Sequence, residues 1–307
     1  MERKIKDYVV IGLKGMAMGA ADVVPGVSGG TIAFISGIYE ELLSSISNVN
    51  LGLFKTLKKE GLKAAWKQLN GNFLLSLFIG IFISILSLAK AIKYLLENEP
   101  ILLWSFFFGL VLASIIYIAK QITKWNAVSI VVLVLGAFLA YYITTLNPLV
   151  SEGASPLYIL IAGAIAICAM ILPGISGSFI LVLLGAYKPV LEALNNRDYK
   201  TILIFMAGAI VGLLTFSKVL KWLFANYKNY TLAALTGFII GSLNKIWPWK
   251  ETLTWRLNSH GIKVPFNQQS VSPFSFEGDS ELVFAIILAF VGFALILLME
   301  KLAVKKQ

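Results

Sequence analysis

Residues 25–46 read PGVSGGTIAFISGIYEELLSSI, and residues 173–194 read PGISGSFILVLLGAYKPVLEAL. At an offset of 148 (173 minus 25), Pro25/Pro173, Gly26/Gly174, Ser28/Ser176, Gly29/Gly177, Ile32/Ile180, Gly37/Gly185 and Tyr39/Tyr187 coincide. The match continues at an offset of 128 (208 minus 80), where Gly80/Gly208, Lys90/Lys218, Lys93/Lys221, Leu95/Leu223, Gly109/Gly237 and Ser114/Ser242 coincide. Two ordered blocks of agreement mark a duplicated unit. The change of offset is close to the length of a basic segment, residues 51–70, that only the first half has.

The duplication sits in a membrane-like composition. The 307 residues are 58% hydrophobic and 14% charged, with a mean hydropathy of +0.82, whereas soluble domains carry about 25% charged residues. Apolar blocks fall near 8–24, 27–46, 73–96, 101–119, 127–146, 157–172, 175–194, 201–225, 231–247 and 282–299. A helix needs about 20 residues to cross a bilayer. Long polar/apolar alternation is missing, which argues against a β-barrel, and backbone groups in lipid must be satisfied internally, which leaves a helical bundle. The first two blocks and their counterparts at 157–194 are short and interrupted by Pro-Gly, so crossing and turning back are both open. Each half, 1–150 and 151–307, holds five blocks, and an odd number places the second half upside down. That is the inverted-repeat plan of many secondary transporters, with the substrate site near the pseudo-two-fold axis. The expected fold is an all-α polytopic membrane protein of two inverted-topology repeats with Pro-Gly-broken or re-entrant helices.

The 26 basic and 16 acidic residues give a net charge of +10. In a soluble protein this excess would suggest nucleic acid. Here the basic residues flank apolar blocks, which points to orientation and contact with anionic lipid instead. Arg3, Lys4 and Lys6, the 51–70 segment, Lys120/Lys124, Lys221/Lys228 and Lys301/Lys305/Lys306 are expected in the cytoplasm, with both termini. Glu97–Glu99 and Glu152 are expected outside. LGLFKTLKKEGLKAAWKQLN (51–70) reads as one amphipathic helix on the membrane surface. Residues 247–280, with the only histidine, His260, read as a polar outer loop. The basic start resembles a signal peptide, but Lys14 interrupts its apolar stretch, so retention is expected. Cys168, the single cysteine, forms no intramolecular disulfide.

Each Pro-Gly-x-Ser-Gly element breaks one helix and starts another. Proline lacks an N–H, and glycine permits positive φ and close backbone approach. Thr31-Ile32-Ala33-Phe34 and Phe179-Ile180-Leu181-Val182 then resume the helix. A helix start at membrane depth presents unsatisfied amides and a serine hydroxyl, which attract anions. Two such starts from opposite sides would cradle a phosphate between Ser28, Gly29, Gly30, Ser176, Gly177 and Ser178. The alternative is a tight turn with small residues for packing. No Walker loop is present.

Charges inside apolar blocks are costly and usually face a cavity or a partner. Lys14 and Asp22 share a helical face. Lys14 is a candidate to neutralise a phosphate, or snorkels. Asp22 is a candidate for a coupling proton or sodium ion, or caps the restarted helix. Lys90/Lys93 and Lys218/Lys221 would attract an anionic head group at either membrane face, or are end-of-helix lysines. No nucleotide motif, metal cluster or cofactor site is expected.

The run GLKGMAMGAADVVPGVSGGTIAFISGIYEELL (12–43), with ILPGISGSFILVLLGAYKPVLEAL (171–194), resembles the DUF368 family of bacterial membrane proteins over nearly the whole chain. The resemblance implies an undecaprenyl phosphate translocase of the cytoplasmic membrane, recycling the lipid carrier of cell-wall polymer synthesis, and not an enzyme. Ser178 replaces the last glycine of the first motif, so the half-sites need not contribute equally. The rivals are an ion-coupled transporter of a small soluble anion and a membrane lipid phosphatase. The second is weakened because His260 is remote from the motifs.

Overall fold

The computed structural model describes residues 3–24, 27–146, 155–257 and 263–304. Pro25, Gly26, Glu152 and His260 lie outside the described residues. The first two apolar blocks become α1 (Ile5–Val23), α2 (Gly29–Ile35) and α3 (Tyr39–Ser47). Asp22, near the end of α1, meets Gly29 at the start of α2, while Lys14 meets Ser36 at its end. α2 therefore folds back along α1. The equivalent blocks form α9 (Pro156–Ile171), α10 (Gly177–Leu183) and α11 (Tyr187–Asn195). Gly177 lies against Ala166, and the Tyr158 hydroxyl donates to the carbonyl of Leu184, so α10 returns along α9 in the same way. α11 bends by 107° from α10. Both Pro-Gly segments thus turn back.

The bends after α2 and α10 share one device. Gly37 and Gly185 have φ of +72° and +69°. The N–H of Gly37 donates to Phe34 and that of Ile38 to Ala33; Gly185 and Ala186 donate in the same way to Val182 and Leu181. These are the paired bonds of a Schellman end, which satisfies the last carbonyls and favours glycine in the left-handed region.

Residues 51–70 are two helices, not the single one expected: α4 (Leu51–Glu60) and α5 (Leu62–Leu69), separated by Gly61 at φ +84°. Helical periodicity runs through residue 61 without a break, so the pattern hides the turn. Folded, the pair turns Leu53, Phe54, Leu57, Leu62, Ala65, Trp66 and Leu69 into a shared apolar concavity. The 247–280 stretch also departs from expectation. It contains an antiparallel hairpin of β1 (Lys250–Leu257) and β2 (Lys263–Ser270). Alternation in Glu251-Thr252-Leu253-Thr254-Trp255 supplies the strand pattern. Trp247 and Trp249 pin its base by donating indole N–H groups to the carbonyls of Val271 and Ser280.

The remaining helices are α6 (Gly71–Asn98), α7 (Pro100–Lys120), α8 (Ala127–Thr145), α12 (Tyr199–Asn226), α13 (Lys228–Ser242) and α14 (Leu282–Val304). Among the described residues, Gly71–Leu88, Pro100–Lys120, Ala127–Thr145 and Tyr199–Asn226 are each long and apolar enough to cross a bilayer. Phe82, Phe138 and Phe290 are 63%, 65% and 70% exposed, an outer surface suited to lipid and not to water. The chain is a multi-pass helical membrane protein.

Four helix pairs build the bundle: α1 with α6, α9 with α12, α7 with α14, and α8 with α13. Glycines let the backbones touch. Gly80 abuts the carbonyl of Gly12, and Gly208 that of Leu160; Gly109 abuts Ala289, and Gly237 abuts Leu133. Contacts advance together along partners, from Leu160/Gly208 to Ala164/Gly212 and from Leu133/Gly237 to Ala137/Gly241. The paired helices therefore run in the same direction. Because α7 and α8 of the first half pack on α14 and α13 of the second, the halves are interleaved.

Candidate functional site

The two re-entrant tips meet. Ser28 is the N-cap of α2, and its hydroxyl accepts from the N–H of Gly30 at 3.1 Å. The same hydroxyl lies 3.3 Å from the carbonyls of Met170 and Leu172 at the end of α9. Tyr39 donates to the carbonyl between them, Ile171, at 3.1 Å. In return, the N–H of Gly174 donates to the Thr31 hydroxyl at 3.0 Å. Gly30 is needed at this crossing, because a Cβ there would lie 2.6 Å from the Ile171 oxygen. The positive end of α2 thus faces the negative end of α9, which stabilises both. Ser28 and Thr31 are 2% and 1% exposed. Buried hydroxyls need partners, and each finds one across the repeat boundary.

The two half-sites differ. At α2, the N–H of Gly29 donates to the Asp22 carboxylate at 2.7 Å. That gives Asp22 the helix-capping geometry weighed from the sequence, and the first amides of α2 are satisfied within the chain. At α10, Ser176 makes no side-chain cap and bonds instead to Ser178 at 2.9 Å. Ser178 is exposed and Ser176 nearly buried. Gly177 packs against the Ala166 carbonyl.

The other candidates lie away from the tips. Lys14 donates to the Ser36 carbonyl at 2.5 Å, which places its charge at the opposite end of α2 from Ser28. Lys93 pairs with Glu97 at 3.8 Å on an exposed turn of α6. Lys90, Lys218 and Lys221 are exposed near the ends of α6 and α12. The structure groups Ser28, Gly29, Gly30 and Asp22 at one tip and Ser176, Gly177 and Ser178 at the other, joins the tips through Ser28, Thr31 and Gly174, and leaves the lysine pairs at the rims. Thr31, Tyr39 and the carbonyls of residues 170–172 complete the junction and escaped the sequence reading, since no periodicity says which hydroxyl meets which carbonyl. Lys245, a charge inside the 231–247 apolar block, was detectable by the criterion that singled out Lys14 and Asp22.

The family described as VCA0040-like, undecaprenyl phosphate translocase-like, matches residues 18–264, a range that includes both tips. The chain belongs to this family. A relative from Vibrio cholerae serotype O1 (strain ATCC 39315 / El Tor Inaba N16961), named polyprenyl-phosphate transporter, is 52% identical over 311 residues, covering 99% of this chain and 100% of that protein. A relative of the same name from Staphylococcus aureus (strain NCTC 8325 / PS 47) is 33% identical over 253 residues, covering 77% of this chain and 85% of that protein. Both are named as transporters and not as enzymes. No solved structure matches.

Proposed function

We propose that this chain carries a polyprenyl phosphate, undecaprenyl phosphate or a close relative, across the bacterial cytoplasmic membrane. The tail stays in lipid while the phosphate passes between the two re-entrant tips. The observation that carries this reading is the bonded junction of the two re-entrant tips, Ser28 with the carbonyls of Met170 and Leu172 and Gly174 with Thr31. Family membership and the printed names of the relatives supply the substrate class. Inverted repeats are supported by the way helix pairing maps onto itself. The α1/α6 contact recurs as α9/α12, and α7/α14 recurs as α13/α8, with glycines at equivalent positions.

In the proposed cycle the phosphate replaces the internal partners of the tips. The amides of Gly29 and Gly30, now bonded to Asp22 and Ser28, turn to phosphate oxygens; Ser176, Gly177 and Ser178 serve the other half-site. Two anions cannot share one helix start, so Asp22 yields as the phosphate arrives, and a proton or sodium ion compensates its charge. Lys14 steadies α2 from its far end. Lys90/Lys93 and Lys218/Lys221 attract head groups at the two faces, and alternating separation of the tips opens each side in turn. Both termini and the basic α4–α5 pair face the cytoplasm, where lysines meet anionic lipid.

Liposomes holding the purified chain, tested with undecaprenyl phosphate and with inorganic phosphate, decide between lipid and soluble anion. The lipid phosphate is expected to move and inorganic phosphate is not. Combining Ser28→Ala with Ser176→Ala should slow lipid transport at least about tenfold, since a hydrogen bond to a charged group contributes about 1.5–3 kcal/mol. Full transport by a folded double variant, or movement of inorganic phosphate alone, refutes the reading.

A further inference from the structure

Lys245 sits in a 3-10 turn (Leu243–Ile246) between α13 and β1. Its ammonium lies 4.3 Å from the ring centre of Phe179. Phe179 follows Ser178, an exposed residue whose hydroxyl is bonded to that of Ser176. Five residues on, the Lys250 ammonium lies 4.1 Å from the ring centre of Trp104 and donates to the Lys245 carbonyl at 2.6 Å. Both lysines are partly buried. Among the described residues neither has a carboxylate within ion-pair distance.

Two neighbouring ammonium groups drawn out of water, with aromatic faces and no counter-charge, are an unfavourable arrangement for structure alone. Aromatic faces position a cation without neutralising it. The arrangement suits an anion of charge near −2, which is what a phosphomonoester carries when fully ionised. Lysine serves as a point-charge phosphate binder. Around the lysines, Trp247 packs edge-on against Trp249 and Phe108. Such amphipathic rings sit where lipid head groups meet protein.

We propose that Lys245 and Lys250 form a phosphomonoester-receiving site on the β-hairpin side of α10, where the lipid head group docks before passing to Ser178 and Ser176. This rests on the phosphate-lipid reading above, and it adds a docking step, on the side that carries the hairpin, to the tip junction.

The test uses the full chain in detergent micelles, titrated with dodecyl phosphate and separately with inorganic phosphate, with thermal melting of the ligand-free protein alongside. Combining Lys245→Gln with Lys250→Gln is expected to weaken dodecyl phosphate at least about tenfold, while the ligand-free protein melts at the same temperature or higher, since a repulsive pair is gone. Combining Lys245→Arg with Lys250→Arg is expected to keep affinity within about threefold, because charge is retained. Inorganic phosphate bound as tightly as dodecyl phosphate supports the site but makes its occupant a soluble anion. Unchanged affinity in the glutamine variant, or a lower melting temperature with affinity retained, overturns this inference alone. A wild-type chain that binds neither compound overturns both readings.

Discussion

Lys250 shows how a single residue ties stability to solution conditions. It lies in β1, outside the membrane spans, and burial together with the neighbouring charge of Lys245 brings its ammonium from the usual 10.5 down to about 7. Between those values the unfolded chain holds a proton that the ligand-free folded chain has released, so the stability of the ligand-free chain rises with pH across that window and is lost as pH falls toward 7. The wild-type chain should therefore gain melting temperature from pH 7 to pH 10 relative to Lys250→Met, which has no such proton. Parallel melting curves would show that the ammonium is solvated. Lys245 and Asp22 carry a related lesson. Charge in an apolar block says that a partner is needed, but not whether the partner is a backbone amide, as for Asp22, or an aromatic face, as for Lys245.

At the scale of elements, the re-entrant units rest on turn chemistry that repeats. Gly37 and Gly185 hold equivalent left-handed positions with equivalent bond pairs. Gly37→Ala should cost about 1 kcal/mol, the ordinary penalty for a side chain in that region, and Gly185→Ala about the same. Unequal losses in urea or thermal unfolding would mean that the two bends are not energetic equivalents. The breaks at Pro-Gly were readable, because proline and glycine punctuate an apolar run in both halves; the bends at Gly37 and Gly185 were not, since those glycines entered the sequence reading only as matched positions of the repeat. The split of 51–70 at Gly61 was not readable either, since an amphipathic period passes through a glycine unchanged and only its φ of +84° reveals the turn. The β-hairpin was missed because strand pattern in a short polar stretch is weak beside twenty-residue apolar blocks.

For the whole molecule, the inverted arrangement we propose would put the ends of α6 and α12 on opposite membrane faces. With Cys168 replaced by alanine, Lys93→Cys should react with a membrane-impermeant thiol reagent in intact cells, whereas Lys221→Cys should react only after permeabilisation. Labelling of both from one side would end the inverted-repeat reading, leaving the tip junction to be explained by some other symmetry. Interleaved packing of α7 with α14 and α8 with α13 means that neither half buries its own helices alone. In the proposed cycle, opening at the tips would then be a motion of the re-entrant units against a shared bundle, not the parting of two separate domains.

Taken alone, the order of residues determined the membrane class, the duplication, the helix breaks and the position of the serine turns. All are local or periodic properties: hydrophobic length, self-similarity and the backbone chemistry of proline and glycine. Only the tertiary structure decided that the broken segments turn back, that Ser28 reaches the end of α9 and Gly174 reaches Thr31, and that Lys245 and Lys250 come to rest on aromatic rings. Those contacts join residues far apart in the chain, and their geometry follows from how close glycine-lined helices can approach, a quantity that no one-dimensional pattern contains.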